Sequence, residues 1–284
     1  MVMISGEKFQ LLSEVSFHGE LTDNIIIEQN NNISQNLLKI NDTDISEIKK
    51  YNRIFIYTHF VEDFFNKFFD HLNDNTIIIT HNSDAGINNK HIKYLDSKKI
   101  KAWYCQNKLI DHPKLVSIPI GMANSQWQHG NQDIIKQIRE ENNLKNNLVF
   151  KNFDIGTNSA ERKICNDITE GNLIRMQPTT SNIEYWRNIS KSAFAISPPG
   201  NGIDCHRIWE CLYLRTIPII KDNKAFNQFR HLPILFINDW NKITISFLRE
   251  RVPDNLHKLN KKFQKDFNNI KELDINYWKA VMLS

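Results

Sequence analysis

Short apolar runs alternate with amphipathic segments along most of the chain. In the first half, residues 61–72 place four phenylalanines at helical spacing, which is typical of a helix that buries one aromatic face. Strand-like runs rich in isoleucine flank this helix and continue beyond it. Strands that alternate with helices predict βαβ units, a parallel sheet and helices on both of its faces. The predicted strands of the first half are residues 53–58, 76–80, 100–104 and 115–120.

The same alternation resumes after a linker rich in Asn and Lys at residues 143–147. The pattern predicts an α/β protein with two Rossmann-like domains, residues 1–145 and residues 146–284, that face each other across a cleft. Further helices are expected from residue 240 onward. Helices are also predicted at residues 133–142, 159–169 and 182–191, and strands at residues 148–154, 173–176, 193–196, 216–220 and 234–237.

Composition is that of a folded protein without metal or disulfide frameworks. Hydrophobic residues make up 40% of the 284, and a net charge of +4 fits a small anionic ligand and does not call for nucleic acid. The four cysteines form no C-x-x-C pair, and no apolar run reaches the roughly 20 residues of a membrane span. We therefore expect a cytoplasmic protein with reduced thiols. Abundant Asn, Ile and Lys suggest an AT-rich genome, of a bacterium or of a virus in its host cell.

A glycine-containing loop between a predicted strand and helix carries the strongest chemical signal. Gly200 and Gly202 precede the helix, where free backbone N–H groups and the helix dipole suit a phosphate. Asp204 is expected to be the N-cap. Arg207 adds a forked donor for a diphosphate, and Glu210 lies three residues on, where its carboxylate can accept from the vicinal hydroxyls of a ribose.

Two other interpretations of this loop are weaker. A capped amphipathic helix with one surface pair between Arg207 and Glu210 would need no ligand, and such pairs are common. The dinucleotide fingerprint G-x-G-x-x-G is incomplete, because Cys205 stands where its third glycine belongs.

The loop resembles the donor-binding segment of exostosin-like glycosyltransferases, above all the small viral and bacterial type. That segment has a Pro-x-Gly loop, an Arg seven residues after the Gly, an acidic residue three later and a closing strand. The matching pattern G-N-G-x-D-x-H-R-x-W-E covers about 25 residues with its flanks; Cys205 and Arg215 depart from the residues common in the family. The matching positions are Pro198, Gly200, Asn201, Gly202, Asp204, His206, Arg207, Glu210 and residues 216–218.

The resemblance implies a GT-B type of fold, a nucleotide-sugar donor, a glycan or other hydroxyl acceptor, and inversion of the sugar. In such enzymes basic residues at the start of the second domain meet the donor diphosphate, which here points to Arg162 and Lys163. With these cations no cofactor and no metal is expected. The D-x-D triplet of Asp42 and Asp44 is interpreted as a helix N-cap instead of a metal site.

An inverting transfer needs a base for the acceptor hydroxyl. Asp84 is the first candidate and His81 the second, because both follow a predicted strand; His59, after another strand, is the third. Asp84 as a turn cap and His81 as a structural residue remain alternatives. Residues 121–130, with Asn124, Trp127 and His129, are a candidate acceptor site, because sugars stack on aromatic rings. The rival functions are a nucleotide-sugar or glycan-binding protein without catalysis and a nucleotide-dependent dehydrogenase or epimerase.

Overall fold

The computed structural model describes residues 1–17, 45–258 and 266–284. They form two compact units, the first made of Met1–Gly130 with Asp274–Ser284 and the second of Asn131–Leu273. The first unit holds a parallel sheet whose five strands follow each other in sequence order. Its elements are strands β1 (Val15–Phe17), β2 (Arg53–Tyr57), β3 (Thr76–His81), β4 (Ile100–Cys105) and β5 (Leu115–Ser117), and helices α1 (Gly6–Gln10), α2 (Val61–Phe68) and α3 (Ile92–Leu95).

The aromatic stripe predicted between the first two strands is core. Phe64, Phe65 and Phe68 of α2 are at most 2% exposed and belong to one apolar cluster with the side chains of β2, β3 and β4. The opposite face is covered as well: α1 packs on β3, and the Phe9 ring stacks on the His81 ring at 5.4 Å. Every residue of β3 is buried, so both faces of the sheet are covered as predicted.

The second unit repeats this architecture with four parallel strands, again in sequence order. Every residue of its second strand is buried, as expected for a strand covered on both faces. The strands are β6 (Asn147–Phe150), β7 (Ser192–Ile196), β8 (Ile217–Lys221) and β9 (Leu235–Ile237), and the helices are α4 (Gln132–Glu140), α5 (Ser159–Gly171), α6 (Asn182–Ser190), α7 (His206–Tyr213) and α8 (Ile245–Arg249).

The two sheets confirm an α/β fold and are consistent with two Rossmann-like domains. Among the described strands the order does not reverse in either sheet, so no switch in strand order marks a crevice. The loops that follow the strands of one parallel sheet nevertheless share its carboxyl edge. The candidate residues of each unit are therefore brought to one edge of its own sheet.

The division into units departs from the predicted boundary at residues 145 and 146 in two places. Helix α4 joins the second unit, where it packs on α6 and α7 and Arg139 donates to the Asn268 side chain at 2.8 Å. The last helix, α9 (Ile275–Leu283), returns to the first unit: Ile275 N donates to Val2 O, and the Trp278 ring meets the Phe9 ring at 6.0 Å. Contacts between residues distant in the sequence place both helices in their units, and such contacts cannot be predicted from a local sequence pattern.

Residues 173–176 were predicted to form a strand, and that prediction is wrong. The α5 helix ends just before Leu173, which has a positive φ of 64° and is 72% exposed. The backbone makes a hydrogen bond beside β6 only at Gln177, whose N donates to Lys151 O at 2.8 Å. The pattern analysis also missed the three-residue strand β1 and the short helices α1 and α3.

Candidate functional site

Two loops meet at the carboxyl edge of the second sheet: residues 151–158, which follow β6, and residues 197–205, which follow β7. Asn158 joins them, because its Nδ2 donates to Gly200 O at 2.7 Å while its Oδ1 accepts from Glu161 N and caps α5. Arg162 adds a second tie through Nε, which donates to Pro199 O at 2.9 Å. The phosphate-binding loop predicted around Gly200 is thus held by the neighbouring post-strand loop.

Arg162 is 6% exposed and is held from both sides. Besides the bond to Pro199 O, its Nη1 donates to Asp154 O at 2.6 Å. The Asp154 carboxylate in turn accepts from Gly156 N at 2.8 Å, which fixes the first loop. The third guanidinium nitrogen of Arg162, Nη2, lies 3.3 Å from the position that a Cβ on Gly200 would occupy. Glycine at this position therefore lets the guanidinium approach the loop backbone closely.

Arg207 stands in the first turn of α7 and turns toward α6. Its Nε donates to the Tyr185 hydroxyl at 2.7 Å, and its guanidinium lies 5.8 Å from the Tyr185 ring centre. The guanidinium groups of Arg207 and Arg162 each lie 5.9 Å from the centre of the Phe153 ring. Two guanidinium groups therefore lie within cation–π distance of the same ring. Arg162 and Arg207, two of the residues predicted to bind a diphosphate, are thus close together.

The two guanidinium groups lack a carboxylate partner within salt-bridge distance in the described part of the chain. Burial lowers the pKa of Arg162, and the positive charge of Arg207 lowers it further. Burial also disfavours the charged form of Arg207, but Tyr185, Cys205 and Glu210 around it raise its pKa. An arginine offers five N–H donors, and neither the Arg162 Nη2 nor the Arg207 Nη groups donate to a described residue. Positive charge with unused donors can bind an anion.

Glu210 is 5% exposed and lies inside the unit, so the interpretation as a surface pair with Arg207 is wrong. Burial raises the pKa of its carboxyl, against the effects of Trp186, Arg207 and Tyr185. The Trp186 indole nitrogen lies beside this carboxylate without a hydrogen bond of normal geometry. In this conformation Glu210 supports Tyr185 and Arg207 from within the fold.

Asp204 is not the N-cap, and that prediction is wrong. The N-cap position is Cys205, whose side chain makes no capping hydrogen bond, and α7 begins at His206. Asp204 is buried and accepts from the Trp209 indole Nε1 at 2.7 Å. Asn201 is exposed, whereas His206 is half-buried. The start of α7 therefore has no capping side chain from the residue that precedes it.

A cavity of about 180 Å³ opens beside the loop, at the carboxyl end of β8, and is lined in part by the segments that follow β7 and β8. Apolar side chains form much of its wall, and Glu161 and Lys221, 3.0 Å apart, form a polar part of its lining. Glu161 is also fixed by the Trp240 indole, which donates to it at 2.8 Å. The remaining lining residues are Ser197, Pro199, Ile203, Ile208, Ile220, Asp222, Asn223 and Phe226.

Lys163 is not brought to this cluster. It is exposed and forms an ion pair with Asp167, one turn along the same helix, at 2.8 Å. The hydrogen bond to Asp167 raises the pKa of Lys163. A solvated helix pair accounts for this residue.

His81, at the carboxyl edge of the first sheet, is 1% exposed and has both ring nitrogens engaged. Its Nε2 lies 3.1 Å from Pro119 O, so this nitrogen donates, and Nδ1 accepts from Asn82 N at 2.7 Å. An imidazole without a free lone pair is poorly placed to accept a proton. Asp84 is exposed, and its carboxylate has no partner among the described residues. His59 is exposed too, but its imidazole is partly desolvated by its neighbours, which lowers its pKa.

The candidate acceptor loop lies at this same edge. Asn124 Nδ2 donates to Asn82 Oδ1 at 3.3 Å, and Asn124 Oδ1 accepts from Glu7 N at 3.0 Å. Trp127 is 56% exposed, and its ring stacks with that of His129 at 6.2 Å. The loop after β5 is thereby joined to the loop after β3.

Three residues beside Arg162 and Arg207 were not assigned a role from the sequence: Phe153, Asn158 and Tyr185. Asn158 had a local signal, because Asn before a helix is a common N-cap. Phe153 and Tyr185 had none, because each meets Arg207 from a distant part of the sequence. Asp42 and Asp44 lie outside the described residues. Within the described ranges no group of three or more His, Cys, Asp or Glu side chains is arranged to hold a metal ion.

Comparison with known proteins supports the fold. The chain is similar to the crystal structure of a glycosyltransferase from Rickettsia africae ESF-5, with a TM-score of 0.58 over 98% of this chain and 93% of that chain, at 12% identity. No family model matches the chain. A search of curated proteins gives no significant match. At this identity the likeness concerns the fold alone. None of the helices in the described part has both the length and the apolar character needed to cross a bilayer.

Proposed function

We propose that the chain is a glycosyltransferase that moves a hexosyl or pentosyl group from a nucleotide sugar to a hydroxyl acceptor. The observation that carries the proposal is the pair of guanidinium groups on Phe153, which have unused donors and lack a carboxylate partner. A diphosphate supplies the negative charge that such a site needs. The likeness in fold to a glycosyltransferase and the exostosin-like segment agree with this interpretation.

In this proposal the diphosphate lies against Arg162, Arg207 and the backbone of the Gly200 loop. The neighbouring cavity, with Ile203 and Phe226 in its wall, is the place proposed for the nucleobase. The predicted contact of Glu210 with the ribose would require its carboxylate to become accessible. As the sugar leaves the donor, negative charge grows on the diphosphate, and fixed guanidinium groups stabilise that charge best where water is excluded.

We assign the general base to Asp84, whose carboxylate has no described partner, and place His59 second. Inversion in a single displacement, a GT-B type of fold and a cytoplasmic location belong to the same proposal. Independence from divalent ions follows from the arginines as counter-charges. Activity that survives a chelator is therefore expected, and loss with chelator followed by rescue with manganese would return attention to Asp42 and Asp44.

Binding of nucleotide sugars tests the proposal directly. In a thermal-shift panel of nucleotide sugars and nucleoside diphosphates, a ligand at 100 times its dissociation constant stabilises by about 2.7 kcal/mol. Product analysis with mixed glycan acceptors then tests transfer. If no member of the panel stabilises the protein, the proposal fails.

A binding protein without catalysis is the second candidate. It is favoured by the engagement of both nitrogens of His81, which leaves only exposed side chains as candidate bases at that edge. Saturable binding of a nucleotide sugar without transfer or hydrolysis would support it.

A further inference from the structure

Trp127 is exposed in a protein that buries its other tryptophans. Its side chain is 56% exposed, whereas Trp103, Trp186, Trp209, Trp240 and Trp278 are at most 1% exposed. The Trp127 ring lies nearly parallel to the His129 ring, with 18° between the planes. The two rings are stacked with their centres 6.2 Å apart, and the Trp127 side chain remains 56% exposed.

The loop that carries this pair is closely fixed. Gly130 N donates to Trp127 O at 2.8 Å and Trp127 N to Asn124 O at 3.1 Å. A Cβ on Gly130 would lie 2.0 Å from Asn124 O, so the turn closes on itself without space for a side chain. The Glu7 carboxylate accepts from the Ser125 hydroxyl at 2.8 Å and from its backbone N–H. An exposed ring on a fixed loop loses little conformational entropy when a ligand covers it.

The chain segment that carries the pair is polar and has no charged residue of its own, although the Glu7 carboxylate, bound by Ser125, contacts it. No Asp, Glu, Lys or Arg occurs in residues 115–132, although charged residues make up 24% of the chain. Burial lowers the pKa of His129, so the imidazole is neutral at physiological pH. Asn124 donates to Asn82 Oδ1, and the buried Nδ2 of the same Asn82 amide, beside Tyr57, makes no hydrogen bond of normal geometry in the described chain. Amide groups offer both donors and acceptors for hydroxyls.

We propose that Trp127 and His129 form a stacking platform for a sugar ring of the acceptor, with the amide groups of Asn124 and Asn82 serving its hydroxyls. The C–H face of a pyranose is apolar and slightly positive, and it complements the negative face of an aromatic ring. Neutral amides suit hydroxyls, and the Glu7 carboxylate beside the loop is already bound by Ser125. That the bound sugar is the acceptor rests on the proposed function, whereas the position of the platform rests on the loop geometry.

Fluorescence quenching tests the platform in the full chain, because the other tryptophans are buried. Acrylamide should quench Trp127 selectively, and a panel of methyl glycosides and short oligosaccharides should contain members that protect it in a saturable way. Trp127→Ala should weaken binding of those glycans by about tenfold in calorimetry, and Trp127→Phe should retain most of it. Leu173→Ala, which trims an apolar side chain of the second unit that is 72% exposed, is the control.

The outcomes separate this inference from the proposed function. Nucleoside diphosphate binding should be unchanged in Trp127→Ala, since Trp127 belongs to the other unit. Glycan protection without any nucleotide-sugar binding would sustain the platform and refute the transferase. Failure of every glycan in the panel to protect Trp127, or unchanged glycan affinity in Trp127→Ala, overturns the platform whatever the nucleotide results show.

Discussion

The carboxyl edges of the two sheets are built alike but leave different groups unused. At the edge of the first sheet the ionisable side chains of Glu7 and His81 are bound by neighbouring residues. What remains there is the exposed ring of Trp127, the exposed Asp84 carboxylate and the buried amide nitrogen of Asn82. At the edge of the second sheet the unused groups are the donors of two guanidinium groups. The first edge thus leaves an aromatic ring and a carboxylate unused, whereas the second leaves positively charged donors.

Lys151 is a buried cation of the second unit that has a carboxylate partner. It is 0% exposed, and its Nζ donates to Glu170 at 3.0 Å and to the carbonyls of Asn166 and Ile174. A buried charge without a counter-charge is costly. A ligand with its own negative charge would offset that cost beside Arg162, which makes no salt bridge with a described residue.

The largest expected effect lies at the first edge. Asp84→Asn keeps the size of the side chain but cannot accept a proton, and turnover should fall by roughly 100- to 10,000-fold. The side chain is exposed, so folding should not change. Initial rates and donor binding, measured on the same preparation, separate chemistry from affinity.

Donor affinity should stay as in the wild type in Asp84→Asn. A variant that turns over normally would remove Asp84 as the base and make His59→Gln the next test. If both variants remain active, the first sheet edge does not supply the general base, and only a role in acceptor binding remains for it.

Arg207→Ala should weaken nucleoside diphosphate binding by about 10- to 100-fold, because a charge-assisted contact is lost. Lys163→Ala is the matched control: it removes a cation one residue from Arg162, but one that is exposed and paired with Asp167. Calorimetry with a nucleoside diphosphate should show a change of less than about twofold for this control.

Arg207→Lys distinguishes charge from geometry, since lysine keeps the charge but lacks the planar fork. An intermediate affinity is expected. Equal losses in Arg207→Ala and Lys163→Ala would mean that general positive potential, and not the site on Phe153, attracts the nucleotide.

How much the sequence predicted depends on how local each feature is. Gly200, Arg207 and Glu210 lie within one loop and one helix, and their spacing predicts a site for a diphosphate and a ribose, which stays a prediction. The partners that give Arg207 its position could not be foreseen, because Tyr185 is 22 residues away along the chain. The burial of Glu210 is likewise a tertiary fact, since a helix pattern alone does not say how deep a polar side chain lies.

Two local predictions failed because a stronger competitor was present. Asp204 is a good N-cap by residue type, yet the Trp209 indole takes its carboxylate, and the helix begins two residues later. The apolar run at residues 173–176 has strand-like composition, but a residue with positive φ at Leu173 ends the preceding helix and turns the chain away. Most strands and helices were predicted to within a few residues, because their periodicity extends over a whole element.

Glu170→Gln tests the ion pair of Lys151, the buried cation that was compared with Arg162 above. The Arg175 and Lys151 side chains hold the pKa of Glu170 at about 2, below its usual 4.5. A depressed carboxyl pKa stabilises the fold above the usual pKa, and that contribution disappears as the pH falls toward about 2. The variant should melt below the wild type at pH 7, and the difference should shrink between about pH 4.5 and about pH 2. A difference that stays constant with pH would contradict the pairing.

The smallest expected effect comes from Gly200→Ala at the second edge. The new Cβ would lie 3.3 Å from Arg162 Nη2 and 3.8 Å from Thr157 Cγ2, so the guanidinium must move by a few tenths of an ångström. Because the displaced atom ends a flexible side chain, stability should hardly change, whereas nucleoside diphosphate affinity should fall about two- to fivefold. Gly171→Ala, at the end of α5 with nothing within 4 Å, is the control and should leave affinity unaltered. Unchanged affinity in Gly200→Ala as well would mean that the close approach of Arg162 to the loop does not serve the ligand.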